Sequence, residues 1–286
     1  MKTTPHYALL GGGRLARHLR HYLQLEGLPV SGWARNPHSD LNTHDLPDAE
    51  ERLRATVADA TQVVLLVSDD GLKPLLKRYP WLHGHRLVHC AGALSLPGVT
   101  GAHPLMTFGR ELYDRDTYRA IPFVVEAGST LGTVFPGLPN PAFSLATEQK
   151  ALYHALCVMA GNFPQILWQR LVERLDTDLE LPAEVFRAYL HRAVDNLLDD
   201  PRGALTGPLA RGDKATQARN LAALGDSPLA NLYQTFVEFH GAGTGVRHET
   251  PADPQSEQQL ARSRADHRQV SGGRLLGGAA TKRSLS

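Results

Sequence analysis

The chain has 286 residues, with 30 Lys and Arg against 29 Asp and Glu and a formal net charge of +1. That balance gives no electrostatic reason to expect nucleic acid or an anionic membrane as partner, and 42% hydrophobic against 21% charged residues is enough to bury a core. Two cysteines, Cys90 and Cys157, form neither a disulfide framework nor a metal-ligand spacing, and no metal site is expected.

In chain order, "HYALL" at 6–10 predicts a strand, too short for the core of a signal peptide, and no stretch approaches a membrane span. A soluble cytoplasmic protein is the expectation. "RLARHLRHYLQLEG" at 14–27 has helical periodicity, "PVSGWAR" at 29–35 reads as a second strand, and "DAEERLRATVADA" at 48–60 as a helix. "QVVLLVSDD" at 62–70 is a third strand, apolar throughout as in a fully buried parallel sheet. "RLVHCAG" at 86–92, a short strand at 99–102 and "PFVVEA" at 122–127 continue the series. Alternating strands and helices predict an α/β fold, a Rossmann-type doubly wound parallel sheet, over 1–128.

The Gly- and Pro-rich segment 129–146 reads as a connection. Helical patterns then fill 147–162, 164–175, 183–199, 214–224 and 227–240, which predicts an all-α C-terminal domain over 147–240. Residues 241–286 have almost no aromatic or β-branched content and are expected to form a disordered tail. No internal repeat is present.

Within "LLGGGRLARHL", Gly11, Gly13 and Ala16 match G-x-G-x-x-A between a strand and an amphipathic helix, with a second strand following at the right distance. The first glycine permits a tight turn, the second lets backbone approach a diphosphate, and the small third residue packs helix on strand. Gly11, Gly12, Gly13, Arg14 and Leu15 are therefore candidate dinucleotide contacts. The end of the second strand carries "GWARNP", with Arg35 where an NAD-preferring fold has an acid. A guanidinium binds a 2′-phosphate that a carboxylate would repel, so NADP(H) is the expected cofactor. Ser68 and Asp69 lie beyond the third strand, where such sheets bind ligands, although Asp69 or Asp70 also suits capping of a helix near Leu72. His89, Ala91 and Gly92 follow the next strand, where small residues would admit a nicotinamide ring.

"GGGRLARHL", "VVLLVSDD", "HCAGALS", "GAHPLMTFG", "YHALCVMAGNF" and "LTGPLARGD" occur in this order. Over about 1–240 the chain resembles a bacterial family that pairs a Rossmann-like domain with a helical domain of unknown function. That family looks like a relative of deazaflavin-dependent NADP oxidoreductases, pyrroline-5-carboxylate reductases, prephenate dehydrogenases and β-hydroxyacid dehydrogenases. The resemblance implies a nicotinamide cofactor, a small-molecule site between the domains and a homodimer, but no particular substrate.

His103, followed by Pro104, is the first catalytic candidate. An imidazole can trade a proton with a substrate oxygen while hydride moves, and the resemblance to prephenate dehydrogenases implies that role; holding the loop through backbone hydrogen bonds is the alternative. Thr107 in the same segment is a candidate substrate contact. His154 and Asn162, eight positions apart in an apolar helix, come within about 80° of each other on a helical wheel and could both face a site. Equally, His154 could be a satisfied core histidine and Asn162 a residue of the helix end. β-Hydroxyacid dehydrogenases carry a Lys four residues before the Asn, where this chain has Val158, so the proton-transfer role shifts to His103 or His154. Thr206 and Arg211 are candidate substrate ligands, Arg211 for a carboxylate, and Asp213 reads as a helix N-cap. Histidines 18, 21, 38, 44, 83 and 85 lack metal-ligand spacing and read as surface residues. The leading function is an NADP(H)-dependent oxidoreductase acting on a small carbonyl, imine or hydroxy compound. A non-catalytic NADP(H)-binding regulator or scaffold is the rival, and a flavin on the same turn a third reading.

Overall fold

The computed structural model describes residues 4–34 and 49–243. In its first part β1 (Tyr7–Leu10), α1 (Arg14–Leu25), β2 (Val30–Trp33), α2 (Ala49–Val57), β3 (Gln62–Leu65) and α3 (Asp69–Arg78) follow one another. A 3-10 turn (Pro80–Gly84) leads to β4 (Leu87–His89) and β5 (Val99–Pro104), then α4 (Arg115–Ala120) and β6 (Phe123–Glu126). With β7 (Ala142–Leu145), the strands among the described residues form one seven-stranded sheet in the order β2-β1-β3-β4-β5-β6-β7. All neighbours are parallel except β5 and β6. All four residues of β1 and of β3 are buried, because helices cover both faces of a parallel sheet and its central strands can be apolar throughout. The mainly parallel α/β architecture is the one the alternating pattern predicts.

Four local features differ from expectation. The third strand ends at Leu65 and α3 begins at Asp69, not near Leu72. Asp69 and Asp70 thus occupy its first turn, where their charge suits the helix dipole, and Ser68 holds the N-cap position. The Gly- and Pro-rich stretch 129–146 carries a helical turn, α5 (Leu131–Val134), and β7 (Ala142–Leu145), which pairs with β6 as a seventh strand. The patterns at 147–162 and 164–175 form one helix, α6 (Lys150–Leu179), running through Pro164. Proline's fixed φ is helical, and the apolar positions Leu152, Leu156, Met159, Phe163 and Ile166 stay in phase across it. His18, read as a surface residue, is 1% exposed because it shares the core face of α1 with Leu19 and Tyr22.

Contacts divide the chain into two compact units, Met1–Ala183 and Glu184–Ser286, so α6 groups with the sheet. The second unit holds α7 (Arg187–Asp199), α8 (Gly207–Ala210), α9 (Lys214–Leu224) and α10 (Pro228–Gly243). Asp213 caps α9 as its position predicts, accepting from Thr216 N at 3.0 Å. Among the described residues no helix is long and apolar enough to cross a membrane. Of the tail expected over 241–286, residues 241–243 instead complete the last turn of α10, and 244–286 lie outside the described residues.

Candidate functional site

The glycine turn stands at the carboxyl end of β1. The chain leaves β1 for β2 on one side and returns to β3 on the other, so the turn occupies the switch point of the sheet. Gly11 has φ +150°, and a Cβ there would overlap the Leu66 carbonyl, so only glycine fits. Gly12 and Gly13 are exposed, and a Cβ on Gly13 would meet nothing within 4 Å. Gly13 is the N-cap of α1 and offers no side-chain cap; the first turn carries no acid. The free N–H groups of that turn therefore face outward, with Arg14 exposed beside them, while Leu15 packs against the core. Ser68 and Asp69 are exposed at the start of α3, two and three residues beyond Leu66. Arg35 lies outside the described residues.

A second cluster is built on β4, β5 and β6. The register sets His89 beside Gly101, and the antiparallel pairing of Ala102 with Val125 sets Glu126 opposite Gly101 on the other side. Gly101 leaves a gap in this row, and the Lys150 side chain at the start of α6 fills it; a Cβ on Gly101 would overlap both Lys150 Nζ and the Glu126 carboxylate. Lys150 Nζ donates to Glu126 Oε1 at 2.6 Å, with side chains 6% and 14% exposed. Two residues along β5, on the same face of the sheet, His103 Nδ1 lies 2.8 Å from Tyr153 Oη, a hydrogen bond that either group can donate. The His154 ring stands nearly perpendicular to that of His103, 5.7 Å between centroids, and occupies the space over Gly92 that a Cβ would close.

Burial holds His89 and His103 neutral. Desolvation, then the Lys150 charge, lowers the His89 pKa to about 4, opposed by Glu126. Desolvation, then His154 and Lys150, lowers that of His103 to about 4. His89 is fully buried; its Nδ1 accepts from Ala91 N at 3.2 Å, so the proton sits on Nε2, which has no hydrogen-bond partner among the described residues. Burial also raises the Tyr153 phenol, followed by its hydrogen bond to Cys157. Glu126 is lowered despite its burial, by the hydrogen bonds from Lys150 and Gly101 and by the Lys150 charge.

Of the residues singled out in the sequence, His89, His103 and His154 come together. His89 is not an open pocket wall but part of the buried row. Ala91 is half-buried and donates its N–H to His89, while Gly92 admits the His154 imidazole. Asn162 is exposed, two turns and ~12 Å further along α6. Thr107 is exposed, and its carbonyl accepts from Tyr113 Oη at 2.6 Å. Thr206 and Arg211, both exposed, flank α8 in the second unit. Lys150, Tyr153 and Glu126 were missed. Lys150, Tyr153, His154 and Cys157 recur at i, i+3, i+4 and i+7 on one helical face, a signal that was legible in "KALYHALC".

His18 ties the segment after His103 to α1. Tyr118 Oη lies 2.8 Å from its Nδ1, and the Gly109 carbonyl accepts from its Nε2 at 3.1 Å. Arg17 adds a bond to the Arg110 carbonyl at 2.9 Å. Among the described residues no group of three or more His, Cys, Asp or Glu is placed to hold a metal ion.

Residues 121–238 match a family described as a domain of unknown function, DUF2520. No protein of curated function matches the sequence. Among solved structures, an oxidoreductase assigned to NADP from Bacteroides fragilis is 23% identical, with TM-score 0.66, over 82% of this chain and 97% of the other. A Thermotoga maritima protein is 22% identical with TM-score 0.53, over 82% and 97%. Plasmodium falciparum pyrroline carboxylate reductase, solved with NADP bound, is 12% identical with TM-score 0.52, over 82% and 96%. At these identities the likeness establishes the fold: a Rossmann-like domain followed by helices.

Proposed function

We propose that the protein is an NADP(H)-dependent oxidoreductase that transfers hydride to or from a small carbonyl, imine or hydroxy compound. The carrying observation is that the uncapped glycine turn and the His103–Tyr153 pair share one edge of the sheet. β1, β3, β4 and β5 are parallel, so the end of β5 stands three strand spacings, roughly 14 Å, from the end of β1. That separation suits a dinucleotide with its diphosphate at one end and its reactive ring at the other. The outward N–H groups at Gly12 and Gly13, without an acid in the first turn, fit a diphosphate. Arg14 and Ser68 are assigned to its rim and Arg35, from sequence, to the 2′-phosphate. The bound cofactor would supply the hydride. His103 and Tyr153 exchange the proton, His154 orients His103, and the Lys150–Glu126 pair holds the floor.

We assign a homodimer to the same reading. Leu152, Leu156, Met159, Phe163 and Ile166 recur at alternating spacings of four and three along α6 and are 53–65% exposed, an apolar seam of the kind that pairs with another helix.

Calorimetry with NADPH and NADH tests the cofactor. The expected result is tighter binding of NADPH, with the preference abolished in Arg35→Ala. Equal affinity of the unaltered protein for both, or no heat with either, overturns it. Given turnover, His103→Ala is expected to lower kcat by about a hundredfold or more; an unchanged rate removes His103 from its role.

A further inference from the structure

Given the oxidoreductase reading, on which this inference rests, we propose that the substrate is a neutral carbonyl compound, or the corresponding alcohol in reverse, and that the site discriminates against protonated imines. The argument is a census of charge around His103. From α6 it meets Tyr153, His154 and Lys150; β4 contributes His89 and β6 contributes Glu126. Glu126 is the one carboxylate of this cluster among the described residues, and it is committed: Lys150 Nζ holds it at 2.6 Å and the Gly101 N–H bonds to it. Among the described residues of the cluster no other anion faces a cationic substrate.

An iminium brings a full positive charge that has to be matched in a water-poor site. A carbonyl enters neutral and develops negative charge on oxygen as hydride arrives. Around that oxygen the cluster offers hydrogen-bond donors, the bonded pair of His103 and Tyr153, beside a Lys150–Glu126 pair that is neutral as a unit. The protein's own imidazole reports on the same electrostatics. Protonated His103 would be a cation of iminium size, and burial together with His154 and Lys150 keeps it neutral down to about pH 4. In the reduction the carbonyl carbon takes the hydride that NADPH supplies, and the π pair moves to oxygen. The oxygen takes a proton from the His103–Tyr153 pair, which is reprotonated from solvent; the products are alcohol and NADP+.

The test uses the full chain loaded with NADP+ and ligands matched in carbon skeleton, cyclohexanol and cyclohexylammonium, followed by calorimetry at pH 7. The expected result is at least tenfold tighter binding of the alcohol. Equal or tighter binding of the ammonium ion overturns the inference. A second readout compares NADPH oxidation by an aldehyde and by its preformed N-methyl imine. Faster reduction of the imine, rising as pH falls through the imine's own pKa, also overturns it. Failure to bind NADP+ or NADPH at all is a different result and removes the oxidoreductase reading itself.

Discussion

Lys150 and Glu126 meet at 2.6 Å across the gap left by Gly101, with neither side chain more than 14% exposed. A pair so buried is stable only as a pair. Lys150→Met leaves a carboxylate without its cation and is expected to cost about 3–5 kcal/mol. Lys150→Met combined with Glu126→Gln removes both charges and is expected to recover at least half of that. Urea unfolding of the three proteins measures both quantities. A single variant within 1 kcal/mol of the parent would mean that the ion pair is well solvated.

The two neutral histidines make stability depend on pH. Unfolded, His89 and His103 bind protons below about 6.5; folded, they do so only near 4. Between those values the unfolded chain carries more protons, so stability is fully present above about pH 6.5 and falls as pH drops toward 4. Glu126, lowered in the fold, adds to the loss below its ordinary value of 4.5. Melting temperatures from pH 8 to pH 4.5 are expected to stay level and then decline below about 6.5. His89→Gln should flatten that decline; a decline confined to pH below 4.5 in the parent would mean that neither histidine is held neutral.

Gly13 and Gly92 separate binding from folding. Gly13 has φ −77° and open space where a Cβ would stand, so Gly13→Ala meets no clash and is expected to cost only glycine's N-cap advantage over alanine, about 1 kcal/mol or less. It should still weaken NADPH binding tenfold or more, because the methyl group stands where a diphosphate would approach. Gly92→Ala puts its Cβ into the His154 ring, which must turn away from His103, at about 1–3 kcal/mol. That variant should bind NADPH normally and lose turnover. Calorimetry and thermal unfolding of the two variants check the contrast, and a loss of more than about 2 kcal/mol in Gly13→Ala would mean that the turn is packed.

The sheet was legible because its strands announce themselves. "YALL" and "QVVL" are apolar at every position, and the glycines after β1 mark the turn by their chemistry alone. β7 was not, since "AFSL" is short, its first three residues are exposed, and it sits among prolines and glycines. Pro164 suggested a break in a helix that continues, because local preference lost to an apolar seam in phase on both sides. His103 and His154 stand out in the sequence by residue type, and the fold brings their rings within 5.7 Å. The Lys150–Glu126 pair depends on the β5–β6 register and on a glycine between them, relations between distant residues that no local window contains. Asn162 was drawn in by wheel angle, which ignores distance along the axis.

The seam on α6 gives the last prediction. Five apolar side chains at positions 152, 156, 159, 163 and 166 lie on one stripe of a 30-residue helix, each more than half exposed. Were two copies to pair along it, the stripe would lose most of its contact with water, and apolar burial contributes roughly 25 cal/mol for each Å². A charge in the middle of the seam would be desolvated without a partner, so Leu156→Glu and Phe163→Glu are each expected to shift the protein from dimer to monomer. Sedimentation velocity at micromolar concentration reads the mass directly, and circular dichroism shows whether the helices persist. A parent protein that sediments as a monomer across the concentration range would refute the dimer. Variants that remain dimeric would place the interface elsewhere on the chain.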